Sequence, residues 1–150
     1  MKKNRLKSKE TNRLLSKYNL DLSKTDQVEL WKDENQKLLV INKIPAFFYY
    51  EDQPVPTLKY LQTNSLLKKV VIDMGAVKFI VNGADIMRPG IVEIELGIET
   101  EEFTVVVDVN HKKPLAVGIA LVGSDEMQKL ASGKVIKNIH YVGDEIWKSG

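Results

Sequence analysis

The chain contains no cysteine, only two histidines, and few aromatic residues, 7% of the total. Without cysteine there is neither a disulfide nor a thiolate metal site, which agrees with a reducing compartment. The histidines, His111 in a polar connection and His140 in a predicted strand, have no carboxylate or second histidine at ligand spacing. No metal site is therefore expected. No apolar run is long enough to span a membrane: "LLVINKIPAFFYY", residues 38 to 50, is broken by Asn42, Lys43 and Pro45. The basic start "MKKNRLKSKE" has no apolar core behind it, so no signal peptide is expected and a cytoplasmic protein follows.

Catalytic signatures are missing as well. Nothing matches GxSxG or a phosphate-loop GK[ST]. Gly118 and Gly123 flank a strand rather than opening a helix, so a dinucleotide fingerprint fails too. The carboxylates of "ELGIETEEF" belong to a solvated loop. The expectation is a protein that is not an enzyme and needs no cofactor, although sequence leaves a carboxylate pair for acid–base work open. Net charge is +2, too small to argue for nucleic acid by itself. Its distribution says more: Lys2, Lys3, Arg5, Lys7, Lys9 and Arg13 face Glu10 alone within the first thirteen residues. That stretch is either a solvated terminus or a basic arm that touches a polyanion.

What is present is enough apolar content for a core, 43%. Two zones meet near residues 63 to 68, giving an expected division into domains 1–66 and 67–150. In the first, "RLKSKETNRLLSKY" places Leu6, Leu14, Leu15 and Tyr18 at helical spacing. "VELW", "KLLVIN" and "AFFYY" read as strands, the last two joined by an Asn42-Lys43 turn. "DQPVP" is expected to break the strand, and "TLKYL" to form a helical turn capped by Thr57.

In the second zone "KKVVID" is a strand and Asp73 caps the helix "MGAVKFIVN", whose Val77, Ile80 and Val81 should face the core. Gly83 ends that helix, and Pro89-Gly90 is a turn pair with glycine expected at positive φ. "IVEIEL", "FTVVVDVN" and "LAVGIALV" are strands. "SDEMQKLASG" is a helix with Ser124 as its cap and Met127, Leu130 and Ala131 inward. "KVIKNIHYV" and "EIWK" close the chain as strands. About five short strands and two short helices imply a small antiparallel barrel or half-barrel, hence an α+β chain overall.

One helical face stands out. Gly75, Lys78 and Asn82 are spaced i, i+3, i+7. They offer a bare backbone, a cation and an amide, a set suited to phosphate and base or ribose, or simply an exposed face. Arg88 follows in the turn and has the chemistry to pair with phosphate or stack on a base.

The stretch "VVIDMGAVKFIVNGADIMRPGIVEIE", residues 70 to 95, resembles the opening of a PUA domain, the small pseudo-barrel RNA-binding module found in pseudouridine synthases and archaeosine transglycosylases. The tail "KNIHYVGDEIWK", residues 137 to 148, is similar to that module's last strands. The resemblance is greatest to the translation re-initiation and recycling branch, which includes the protein of multiple copies in T-cell malignancy. "INKIPAFFYYEDQPVPTLKYL", residues 41 to 61, resembles that branch's pre-PUA domain. "ELGIETEEF" is shorter than in eukaryotic relatives, which implies an archaeal member. The resemblance implies a pre-PUA α+β domain at 1–66 and a PUA pseudo-barrel with two short helices at 67–150. It implies an RNA groove carried onto Lys69, Gly75, Lys78, Asn82, Gly83, Ala84, Arg88, Pro89 and Gly90, with Lys137 and His140. Implied partners are RNA (the tRNA acceptor end, or rRNA of the small ribosomal subunit) and, as in eukaryotic relatives, an initiation-factor-like protein, for which the aromatic run Phe47 to Tyr50 is a candidate surface. A targeting role for a separately encoded RNA-modifying enzyme is the other alternative.

Overall fold

The computed structural model describes residues 1–149, and the chain forms two units, Met1–Leu66 together with Ser149, and Leu67–Lys148. The first holds a five-stranded antiparallel sheet in chain order: β1 (Lys2–Leu6), β2 (Val28–Lys32), β3 (Lys37–Ile41), β4 (Ile44–Tyr50) and β5 (Gln53–Pro56). Helix α1 (Ser8–Leu14) follows β1, and α2 (Leu58–Leu61) follows β5.

The basic start is a strand rather than part of a helix. Leu6 pairs with Val28 across the sheet, and only the later apolar positions, Leu15 at 0% exposure and Tyr18, reach the core. Asn42 and Lys43 form a two-residue turn, with Ile41 opposite Ile44 and φ of 50° and 69°. "DQPVP" does not end the sheet. Glu51 and Asp52 make a second such turn, at φ 47° and 64°, and β5 runs back along β4. Its prolines are tolerated because β5 is an edge strand, where a missing N–H leaves no partner orphaned.

Phe47 sits at the centre of this unit, its ring centroid 5.3 Å from Tyr18 and 5.5 Å from Tyr60. Phe48 is buried as well, so the aromatic run presents no continuous exposed patch. Thr57 caps α2 as expected, its hydroxyl accepting from the Tyr60 N–H at 3.2 Å.

The second unit is a six-stranded sheet in the order β7-β11-β10-β9-β6-β8. Its elements are β6 (Lys68–Ile72), α3 (Met74–Ile80), β7 (Ile86–Met87), β8 (Ile91–Ile94), β9 (Phe103–Asp108), β10 (Pro114–Ala120), α4 (Ser124–Lys129) and β11 (Lys134–Tyr141). The sheet is not purely antiparallel, because β6 and β9 run parallel. The long connection through α3 and β8 gives the chain room to re-enter in the same direction. The core gathers Val70, Ile72, Ile86, Val106, Met127 and Ile136 between the sheet and the two helices.

Three local expectations fail here. Ser124 does not cap α4. It is buried, and its hydroxyl accepts from the N–H groups of Gly97 and Ile98 at 3.2 Å each, tying the preceding loop down. Leu130 and Ala131 lie beyond the end of α4 and are exposed. "EIWK" is not a strand, since Trp147–Ser149 is a 3-10 turn. The Asp144 carboxylate accepts from the N–H of Trp147 at 2.8 Å and of Tyr141 at 2.9 Å, which folds the chain back on itself. Among the described residues no helix is long and apolar enough to cross a membrane.

The Asn42-Lys43 turn yields a test. A left-handed φ disfavours any residue with a Cβ, and glycine is the residue this turn prefers at its second position. Lys43→Gly is expected to stabilise the protein by about 0.5–1 kcal/mol, read from urea denaturation midpoints.

Candidate nucleic-acid interface

The site begins where β6 ends. Ile72 is fully buried, and the next residue, Asp73, turns the chain out of the sheet. Its side chain accepts from the Ala76 N–H at 3.0 Å and so caps α3. Val77, Ile80 and Val81 pack toward the core, while Gly75, Lys78, Phe79 and Asn82 point outward. Gly83, at φ 94°, ends the helix against the Tyr141 ring, 3.1 Å from where a Cβ would stand. The chain then forms β7, in which Ile86 is buried and Met87 exposed, and a 3-10 turn, Arg88–Gly90.

The turn brings the chain back to its starting point. The Asp73 N–H donates to the Gly90 carbonyl at 3.0 Å. Gly90 is not at positive φ, contrary to expectation. Proximity is what sets it apart instead: a Cβ there would lie 3.2 Å from that of Ala76, a tight contact that would press on α3.

Helix, bend and turn thus enclose a groove of about 500 Å³, with Gly75, Ala76, Phe79, Ala84, Met87 and Pro89 among its walls. Its mouth is apolar: Phe79 is 58% exposed and Met87 49%. Asp73 and Asp85 also line it. Asp85 is paired with Lys134 at 2.9 Å and accepts from the Asn138 N–H at 2.9 Å. Burial pushes the Asp85 carboxyl upward, but that hydrogen bond and the Lys134 charge outweigh it, and its pKa is lowered. The Asn138 amide donates to the carbonyls of Ile80 at 3.1 Å and Ala84 at 3.0 Å, pinning the bend to β11.

The structure sorts the residues proposed from sequence. Gly75, Ala84, Pro89 and Gly90 line the groove together, and Gly83 sets its corner. Lys78 and Asn82 share the exposed face of α3 beside it. Lys78 forms no ion pair among the described residues, whereas the Asn82 amide folds back onto the Lys78 carbonyl at 2.8 Å. Lys69 is exposed near the other end of β6 and does not line the groove. Lys137 is exposed on β11, close enough for its charge to act on Asp85.

Two residues are corrected. Arg88 is turned inward, its Nε donating to the Met127 carbonyl at 2.6 Å and a terminal nitrogen to the Ile91 carbonyl at 3.2 Å. It ties α4 to the start of β8, the guanidinium donating to one carbonyl on each; the Met127 carbonyl accepts from the Leu130 N–H as well. His140 is 1% exposed, with Nδ1 2.9 Å from Asp144, which takes it off the surface. That carboxylate four residues on was overlooked in the sequence. Also missed were Phe79 and Met87. Their signal was there: an aromatic residue on the polar side of an amphipathic helix, and an apolar residue alternating with buried Ile86.

The chain was compared with known proteins. Residues 68–142 match the family model of the PUA domain, and residues 2–64 match the domain of unknown function DUF1947. An uncharacterised protein of Methanocaldococcus jannaschii is 47% identical over 128 residues, covering 84% of this chain and 78% of the relative. Translation machinery-associated protein 20 of Saccharomyces cerevisiae is 31% identical over 134 residues, covering 84% and 74%. The crystal structure of a hypothetical protein of Pyrococcus horikoshii superposes with a TM-score of 0.83 at 31% identity, covering 97% of this chain and 98% of that one. The fold is that of a PUA domain behind a DUF1947 region, and the chain belongs to the family that includes translation machinery-associated protein 20 and the malignant T-cell-amplified sequence proteins.

The Asp144 turn that closes the second unit supplies a pH test. Burial raises the Asp144 carboxyl, but the hydrogen bond and charge of His140 and the N–H groups of Trp147 and Tyr141 lower it further, so the net shift is downward. A carboxylate lowered in the folded state contributes stability above its unfolded pKa and loses it as pH falls through the folded value. Asp144→Asn is expected to flatten the dependence of the urea midpoint on pH between about pH 5 and pH 2.

Proposed function

We propose that this protein is a non-catalytic RNA-binding protein of translation, which receives unpaired nucleotides in the groove between α3 and the 84–90 bend. The observation that carries this is the pairing of an open groove, apolar at its mouth, with Lys78 just outside it, its ammonium 5.1 Å from the centroid of the Phe79 ring. Phe79 and Met87 offer flat or adaptable apolar surface for a nucleobase, and base–aromatic stacking of this kind tolerates many sequences. Asp73 in the wall repels phosphate, while Asp85 is already paired with Lys134, so the backbone is held outside, where Lys78 stands on the exposed face of α3. At about 500 Å³ the groove lies within the range of small-ligand sites.

Single-stranded ends and loops are the RNA elements whose bases can be splayed out in this way. The tRNA acceptor end or an exposed stretch of small-subunit rRNA fits that description. Kinship to translation machinery-associated protein 20, by its name, supports a place in translation. A cytoplasmic location and the absence of catalysis belong to the same proposal.

Binding of an RNA hairpin with a single-stranded 3′ tail, followed by fluorescence anisotropy over a salt series, tests it. Phe79→Ala is expected to weaken binding roughly 5- to 150-fold, the loss of about 1–3 kcal/mol of stacking, with the salt slope kept. Lys78→Gln is expected to lower the slope by about 1. Wild-type affinity in both variants would remove the groove from RNA binding.

A further inference from the structure

The first unit carries a row of charge that its fold does not explain. In the sheet register Lys2 stands opposite Lys32, and Lys32 opposite Lys37, so three lysines lie side by side on one face across β1, β2 and β3. Like charges directly opposite in a sheet are destabilising. None of the three has an ion-pair partner among the described residues. The nearest acids along the chain are in the turn after β2. Asp33 is directed into that turn, accepting from the N–H of Asn35 at 2.8 Å and of Gln36 at 2.7 Å, and Glu34 is exposed. The row ends on an aromatic ring: the Lys37 ammonium lies 4.1 Å from the Tyr49 ring centroid, and Tyr49 is half-buried.

We infer that Lys2, Lys32 and Lys37, with Tyr49, form a second RNA-contacting surface, which grips the phosphate backbone. Neighbouring strands are about 4.8 Å apart, so the row spans about 10 Å, long enough to meet more than one phosphate of a nucleic-acid strand. An anionic backbone relieves the repulsion among the lysines, which gives the costly register a purpose. Tyr49, already stacked with a cation, adds a face for a sugar or base at the end of the row. The basic N-terminal stretch is therefore an ordered part of a sheet surface, and its strand form fixes which of its lysines share a face. The choice of RNA over another polyanion rests on the function proposed above, whereas the row itself is independent of the groove.

The test uses the full chain with the double substitution Lys32→Gln and Lys37→Gln, and the tailed hairpin as probe. The salt slope is expected to fall by about 2, and affinity at 0.1 M salt to fall at least about tenfold. The thermal midpoint should change little, because lost repulsion among the lysines offsets the lost contact of Lys37 with the Tyr49 ring. An unchanged slope in the double variant, with Phe79→Ala still weakening binding, would overturn the inference and leave the groove standing. A large fall of the midpoint in Lys32→Gln alone, which leaves the Lys37–Tyr49 contact intact, would overturn it too, by making the row structural. In parallel, vesicles with 30% phosphatidylserine serve as a second polyanion. Vesicle binding that the double substitution abolishes, with RNA binding unaffected, would assign the row to a membrane and overturn the RNA reading. Loss of binding in Phe79→Ala with the full wild-type slope retained locates the two surfaces as separate contributors, as expected.

Discussion

A backbone hydrogen bond between the residue that leaves β6 and the residue that enters β8 is the constraint on which the proposed interface depends. Asp73 and Gly90 are joined N–H to carbonyl at 3.0 Å, so residues 73 to 90 form a closed excursion from the sheet. Closure works only if the two ends come close together, and Gly90 packs where a Cβ would press on Ala76. The far end of the excursion is held independently. Asn138 grips the carbonyls of Ile80 and Ala84, and Gly83 lies under the Tyr141 ring. With both ends fixed, the wall formed by Phe79, Met87 and Pro89 keeps its shape without filling itself in, which is the preorganisation a binding groove needs.

Charge is distributed around that groove by role. Carboxylates sit in the walls, one capping a helix and one paired with Lys134. Arg88, the cation nearest in sequence to the bend, is consumed by main-chain carbonyls. Lys78 is left outside. In the proposed function this division follows from desolvation: a phosphate in an apolar groove beside a carboxylate is penalised, whereas a neutral ring is not. The lysine row of the first unit follows the opposite logic, with Lys2 and Lys32 in the open and the half-buried Lys37 against an aromatic ring at one end.

Much of the second unit was legible in local chemistry. Asp73 as a cap, the inward stripe of Val77, Ile80 and Val81, Gly83 as a helix stop and the β-branched strands all follow from rules acting within a few residues. The errors share a cause. Ser124 has the right residue type for a cap but is drawn away by the N–H groups of Gly97 and Ile98, some twenty-five positions earlier. Lys2–Leu6 is a strand because β2 lies beside it, not because of its own propensity. Arg88 and His140 look like surface chemistry in a linear string, yet each answers to a distant or folded-back partner.

The sequence by itself determined the start of α3 at its Asp73 cap, its stop near Gly83, the turn at Asn42-Lys43, and the family, because these caps, periodicity and motif spacing are local properties of the chain. Tertiary structure alone decided which side chains line the groove, which cations are paired with acids or carbonyls and which lysines share a face. Those outcomes depend on strand register and on hydrogen bonds between residues far apart in the chain, and no local pattern encodes them.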